Sequence, residues 1–267
     1  MLGQGHLRSI LGRTTSSEQR RLILSLTRQQ LHSRYRQSVL AVAWSVIQPL
    51  ALIGVYALFF RGVLRLDGGD LPYLSFIVSG LVAWRFFSSC VSTLSSISDS
   101  LHLISKAYFP REVIPLVHVL VNLIDLGVGL VIMVVIAASQ SLYPSITLVA
   151  LPLVLVPLVL FTAAATILAS SVAVFVRDLR HGMPLLLQAL FFATPIMYAP
   201  FRVPDGLRWL LNANPIAVVI AGIRDTVLRG VWPTWYILAF HIALAAGCYL
   251  VAVSYVRSVE HRMVDLL

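Results

Sequence analysis

Residues 113–138 form a run of 26 amino acids that carries a single charged side chain, Asp125. Helices of globular domains average about 11–12 residues, whereas about 20 apolar residues cross the ~30 Å hydrocarbon layer of a bilayer. Comparable runs occupy about 40–60, 73–97, 147–176, 183–198 and 235–256, the fifth (183–198) being the shortest. Only 12% of the chain is charged and 58% is hydrophobic, against about 25% charged in soluble domains. That charge cannot coat a soluble globule. Backbone polar groups in lipid must be satisfied within the segment, so the runs predict an all-α integral membrane protein with six transmembrane helices.

The charges that remain are unevenly spread. Of the 20 cations 19 are arginine, and seven of those precede residue 37. From Glu18 to Arg36 the spacing predicts an amphipathic helix. Arg21, Arg28, His32 and Arg36 form one stripe, flanked by Leu22, Ile23 and Leu26 on one side and Leu24, Leu31 and Tyr35 on the other. Such a helix lies in the headgroup layer or packs on a partner. Residues 1–37 therefore read as a cytoplasmic segment with an interface helix, and 38–267 as one six-span membrane domain. The first long apolar run starts near Val39, too late for a cleavable signal. With six spans, thirteen Lys or Arg fall on the side of the termini and six on the other, which places both termini in the cytoplasm.

The basic balance points to anionic lipid or phosphate rather than nucleic acid, because no soluble surface is available to bind one. Arginine's planar fork suits that chemistry. Cys90 and Cys248 sit in apolar runs and read as small buried hydrophobes. No metal-ligand spacing, phosphate loop or His-Glu-x-x-His motif occurs, so no catalytic residue, metal or cofactor is expected in this chain.

Four polar or aromatic features are candidate functional elements. Arg85, Asn122 and Asp125 lie within spans, where a charge costs about 3 kcal/mol or more and faces a partner or a wet cavity. They either line a polar path or lock helices together, for instance Arg85 with Asp125. Trp44, Trp84, Phe86, Phe87 and Phe191 are placed either to stack on sugar rings along a tunnel or to pack and anchor the bundle. The stretch between spans 2 and 3 gathers Ser105, Lys106, Tyr108, Phe109, Pro110, Arg111 and Glu112 into a short amphipathic element, with Pro110 ending it before span 3. The loop at 199–234 holds two apolar pieces, 207–211 and 216–228, too short to cross singly. Asn214 and Pro215 give a helix start, a cap followed by proline at the first position. A re-entrant helical hairpin on the outer face and a plain outer cap both fit; Trp209, Asn214, Pro215 and Arg224 are its candidate residues.

The runs SRYRQSVLAVAWSVIQPL (33–50), LISKAYFPREVIPL (103–116), RDLRHGMPLLLQALFFATPIMYAP (177–200) and NANPIAVVIAGIRDTVL (212–228) resemble, in order, four regions of the type-2 ABC-exporter permeases that move polysaccharides across bacterial inner membranes. YFPREV looks most like the exporters of O-antigen and related lipid-linked polysaccharides; Ala41 stands where that family would have glycine. The resemblance implies a homodimer with two separate nucleotide-binding ATPase subunits that carry ATP and magnesium. It implies that 103–112 docks on the ATPase and that the hairpin gates the outer mouth. The substrate would be an undecaprenyl-pyrophosphate-linked polysaccharide, its phosphates attracted by Arg28, Arg34 and Arg36. Alternatives are a permease for teichoic acid, capsule, another glycolipid or a drug, a membrane enzyme acting on lipid-linked sugars, and a passive channel.

Overall fold

The computed structural model describes residues 16–36, 68–94 and 111–266, with six single positions between 47 and 59. The expected first span, about 40–60, and residues 105–110 of the connecting element lie outside the described residues. Among those described, the elements are helical: α1 (Ser16–Arg36), α2 (Tyr73–Val91), α3 (Val113–Ser139), α4 (Leu151–Phe175), α5 (Leu179–Ala193), α6 (Arg208–Ala213), α7 (Pro215–Ile223) and α8 (Trp235–Leu266). A 3₁₀ turn, Ile146–Ala150, leads into α4, and a π-helical turn, Arg224–Arg229, closes α7.

Four of these are long and apolar enough to cross a membrane: α2, α3, α4 with its 3₁₀ lead-in, and α8. Helices α6 and α7 meet at an angle of 86° and would count as a fifth if they form one broken span. The expected fifth run is shorter than the sequence suggests. Helix α5 has 15 residues, roughly 22 Å at 1.5 Å per residue, less than the hydrocarbon layer. It stops because Thr194 precedes Pro195, whose ring drives the preceding residue into extended backbone; Thr194 has φ −98° and ψ 135°. Helix α2 also ends earlier than expected, at Val91. There the hydroxyls of Ser92 and Thr93 donate to the carbonyls of Ser88 and Cys90 and compete with the helix ladder.

Helix α2 is the centre of the bundle. Phe76, Ile77, Val78, Ala83, Phe86, Phe87 and Cys90 are all buried. It packs on α3 and α4, and α4 pairs with α8 along its length. Lipid tails are as apolar as leucine, so close packing rather than the hydrophobic effect holds such helices together. Two glycines supply it. A Cβ on Gly80 of α2 would stand 3.0 Å from the Cα of Ile196, and one on Gly222 of α7 would stand 2.8 Å from a Val154 methyl of α4.

The helix directions bring the start of α3 and the ends of α4 and α8 to one end of the bundle. There Val174 and Phe175 pack with Val259 and Met263. The opposite end gathers the start of α2, the end of α3, the lead-in to α4 and the π-turn. Ser75 donates to Gln140 at 2.7 Å, and Thr147 donates to the Thr226 carbonyl at 2.7 Å.

Helix α1 lies along the start of α3. Ile23, Leu26 and Leu31 pack on Val113, Ile114, Val117 and Val121, and the Gln30 amide lies 3.2 Å from His118 Nδ1. Ile23 and Leu26 are where the amphipathic pattern puts them, but Leu24 and Leu31 are not paired. Leu31 joins the α3 contact while Leu24 is 57% exposed. One α1 stripe is taken by α3, which leaves Leu24 outside.

Candidate functional sites at the two ends of the bundle

At one end the chain is organised around Arg224. The Asn214 side chain accepts from the amides of Ile216 and Ala217 and so starts α7 with Pro215 at the first position, as the sequence predicts. Its amide also donates to Thr194 Oγ1 at 3.0 Å. Ten residues on from Asn214, Arg224 is 2% exposed. Its Nε donates to Ser79 Oγ at 3.1 Å, and its Nη2 donates to the carbonyls of Phe76 and Ile196 at 3.2 Å each. The guanidinium carbon sits 3.6 Å from the centre of the Phe76 ring, a cation–π contact. One side chain thus ties α7 to α2 and to the turn that follows α5. Only arginine's flat fork serves three acceptors and a ring face together.

The surface of this end is ionic. Arg229 grips Asp70 with two bonds, Nε to Oδ2 at 2.7 Å and Nη2 to Oδ1 at 2.8 Å, and its Nη1 donates to Asp225 at 2.8 Å. The bond from Arg229 holds the Asp70 carboxyl below its ordinary value of 3.8. Gly230, at φ 68°, takes the left-handed conformation that ends the π-turn. Trp209 is exposed on α6.

The other end is built on Arg111 and Glu112, the last two residues of the predicted coupling element. Both are buried. Glu112 Oε1 accepts from Arg257 Nε at 2.9 Å and lies 2.8 Å from Arg257 Nη2. Arg111 Nε stands 3.7 Å from Glu260 Oε1. These two residues therefore face the tail of α8. Helix α1, with Arg28 exposed on it, lies against the same end. The side chains of Arg34 and Arg36 and the position of Trp44 are outside the described residues.

Other candidates fall between the two ends. Asn122 is buried on α3 and donates to the His118 carbonyl at 2.8 Å. Arg85 and Asp125 are half-buried, on α2 and α3. Trp84 packs on Phe87 and Phe191 at 5.6 and 5.5 Å between ring centres, and Phe87 stacks on Phe161 at 6.0 Å. Those rings pack on each other. Sequence reasoning missed Asp70, Ser79, Ile196, Arg257 and Glu260 as partners. Asp70 and Arg229 are 159 positions apart, and Glu112 and Arg257 are 145 apart, so no local spacing signals either pair.

The sequence pattern of the ABC-2 type transporter family matches residues 21–228. An O-antigen export system permease protein, RfbA, of Klebsiella pneumoniae is 31% identical over 251 residues, covering 92% of this chain and 95% of that protein. A protein of the same name from Myxococcus xanthus is 34% identical over 208 residues, 77% of this chain and 79% of the relative. The polysialic acid transport protein KpsM of Escherichia coli is 20% identical over 222 residues, 82% and 86% of the two chains. The matched stretch runs from within α1 past Arg224 to Leu228, well over half of the chain, and the chain belongs to the ABC-2 type transporter family.

Proposed function

We propose that the chain is the membrane-spanning permease subunit of an ATP-driven exporter that carries a lipid-linked polysaccharide of the O-antigen kind. The observation that carries this reading is the likeness to the two O-antigen export permeases, one over nearly the full length of both chains and the other over more than three quarters of each. In this account the chain works as a homodimer in the bacterial inner membrane, with both termini cytoplasmic. Two ATPase subunits bind ATP and magnesium and engage residues 105–112. An undecaprenyl-pyrophosphate-linked glycan enters from the inner leaflet. Arg28, Arg34 and Arg36 attract its phosphates, bidentate where geometry allows.

The pathway lies between the two copies, and Trp44, Arg85, Asn122 and Asp125 are the residues to test along it. The bent pair α6–α7 acts as a re-entrant hairpin at the outer mouth. Arg224 fixes its root to α2, while Trp209 on α6 is exposed. Burial of Arg224 supports a fixed root, since breaking its bonds would strand three acceptors.

Complementation tests the reading. The gene is placed in a bacterium that lacks its own O-antigen permease but keeps the ATPase and the glycan pathway. Surface O-antigen should return. It should fall about tenfold or more when Arg34 and Arg36 are both alanine while the protein still inserts, since each lost charge-assisted bond is worth about 1.5–3 kcal/mol. Restored capsule without O-antigen would favour the capsule alternative, for which the likeness to the polysialic acid protein is the supporting observation.

A further inference from the structure

We infer that Arg111, Glu112, Arg257 and Glu260 form a charged clasp through which the tail of α8 takes up movement of the connection ahead of α3. The clasp passes that movement to α4. The four are positioning residues. The inference rests on the exporter reading, because it presupposes an ATPase that moves residues 105–110.

Three observations converge on the clasp. The first is the burial of opposite charges at one junction. The side chains of Arg111 and Glu112 are 5% and 7% exposed, Glu260 is 18% exposed and Arg257 is 63% exposed. Burying charge is costly unless it is well paired, so side chains this covered fix where the start of α3 can sit against α8.

The second is that the two pairs are unequal. Glu112 is held by Arg257 at hydrogen-bond distance, but Arg111 stands 3.7 Å from Glu260. That gap must shorten by roughly 1 Å to reach the 2.7–2.9 Å of a charge-assisted bond. Among the described residues, Arg111 Nη1 and Glu112 Oε2 are buried without a hydrogen-bond partner. One pair is therefore held at hydrogen-bond distance while the other is a longer ion pair, so the start of α3 is tied to α8 more firmly through Glu112 than through Arg111.

The third is what lies behind the clasp. Leu116 of α3 packs into the same cluster as Ala164 and Ile167 of α4 and Ala252 and Val256 of α8. One turn further along α8, Val259 and Met263 pack on Val174 and Phe175. Helix α8 extends to Leu266, beyond the part long and apolar enough to span, which stops at Glu260. A shift of the α3 start therefore has a rigid, close-packed route into α4 and α8 and no flexible linker to absorb it.

The test uses the whole transporter, with the chain and its ATPase purified together into liposomes loaded with the lipid-linked glycan. Glycan moved per ATP hydrolysed is compared for wild type, Arg257→Glu, Arg257→Lys and Arg257→Ala. The clasp predicts that Arg257→Glu lowers that ratio roughly tenfold while the ATPase remains bound and hydrolysing. Arg257→Lys should retain most of the ratio. Should Arg257→Glu fail to insert, Arg257→Ala carries the same prediction in milder form, because this arginine is mostly exposed and its truncation opens no core. A cycle with Glu112→Gln completes the test. If both residues act through one contact, the double variant loses no more than the worse single one.

An unchanged ratio in Arg257→Glu and Arg257→Ala overturns the clasp, as do losses that multiply in the double variant. Loss of the ATPase from the Arg257 variants alone also overturns it, since the charges would then belong to docking. Absence of any ATPase from the wild-type preparation overturns the exporter reading instead.

Discussion

Arg224 concentrates much of what holds one end of the bundle together. Its guanidinium meets a hydroxyl, two carbonyls and a ring face. Arg224→Met should leave Ser79 and the two carbonyls without their donor and cost about 2–4 kcal/mol. A lower thermal midpoint of the detergent-solubilised protein would show it. Arg224→Lys should recover little, since an ammonium cannot serve the same fork, and full recovery with lysine would contradict the geometry. At the surface, Asp70 behaves differently. Its carboxyl is held below 3.8 by the bond from Arg229. A depressed carboxylate stabilises the fold above the unfolded value and loses that contribution as pH falls through the folded one. The stability difference between wild type and Asp70→Asn should therefore be flat above about pH 5 and shrink below about pH 4. Because Asp70 is exposed, that difference should stay within about 1 kcal/mol. A difference that grows on acidification would sink the assignment.

At the scale of elements, the start of α7 shows how local chemistry becomes position. Asn214→Ala removes two bonds to the first amides of α7 and the bond to Thr194, and should cost about 0.5–2 kcal/mol. Gly80→Val should do more damage, since a Cβ there would press on the backbone of Ile196 rather than on a movable side-chain end. Thermal midpoints measured on the two variants would rank them; an unaffected Gly80→Val would contradict the close packing. These elements also show what was legible. Helices α3, α4 and α8 follow from apolar runs because each run satisfies its own backbone, and the start of α7 follows from two adjacent residues. The end of α5 was hidden, because the apolar pattern continues past Pro195 while the backbone does not. The buried face of α1 was only half legible, because the pattern treats Leu24 and Leu31 alike and α3 covers only the latter. The Asp70–Arg229 and Glu112–Arg257 pairs were illegible for a simpler reason: their members are more than a hundred positions apart and nothing local marks them.

At the scale of the whole molecule, two ionic junctions cap a close-packed apolar bundle. One roots α7 to α2, and the other joins the start of α3 to α8. This layout fits a machine driven at one end and opened at the other, with rigid helices between. The chain carries no phosphate loop, and the proposed function assigns ATP hydrolysis to a partner subunit. The account therefore stands on that partner. The chain, tagged and drawn from native membranes in mild detergent, should bring with it a Walker-motif ATPase in equal number, and the ATPase should be lost when the sequence Tyr108–Glu112 is scrambled. Recovery of the intact, folded chain with no such ATPase would contradict the central claim.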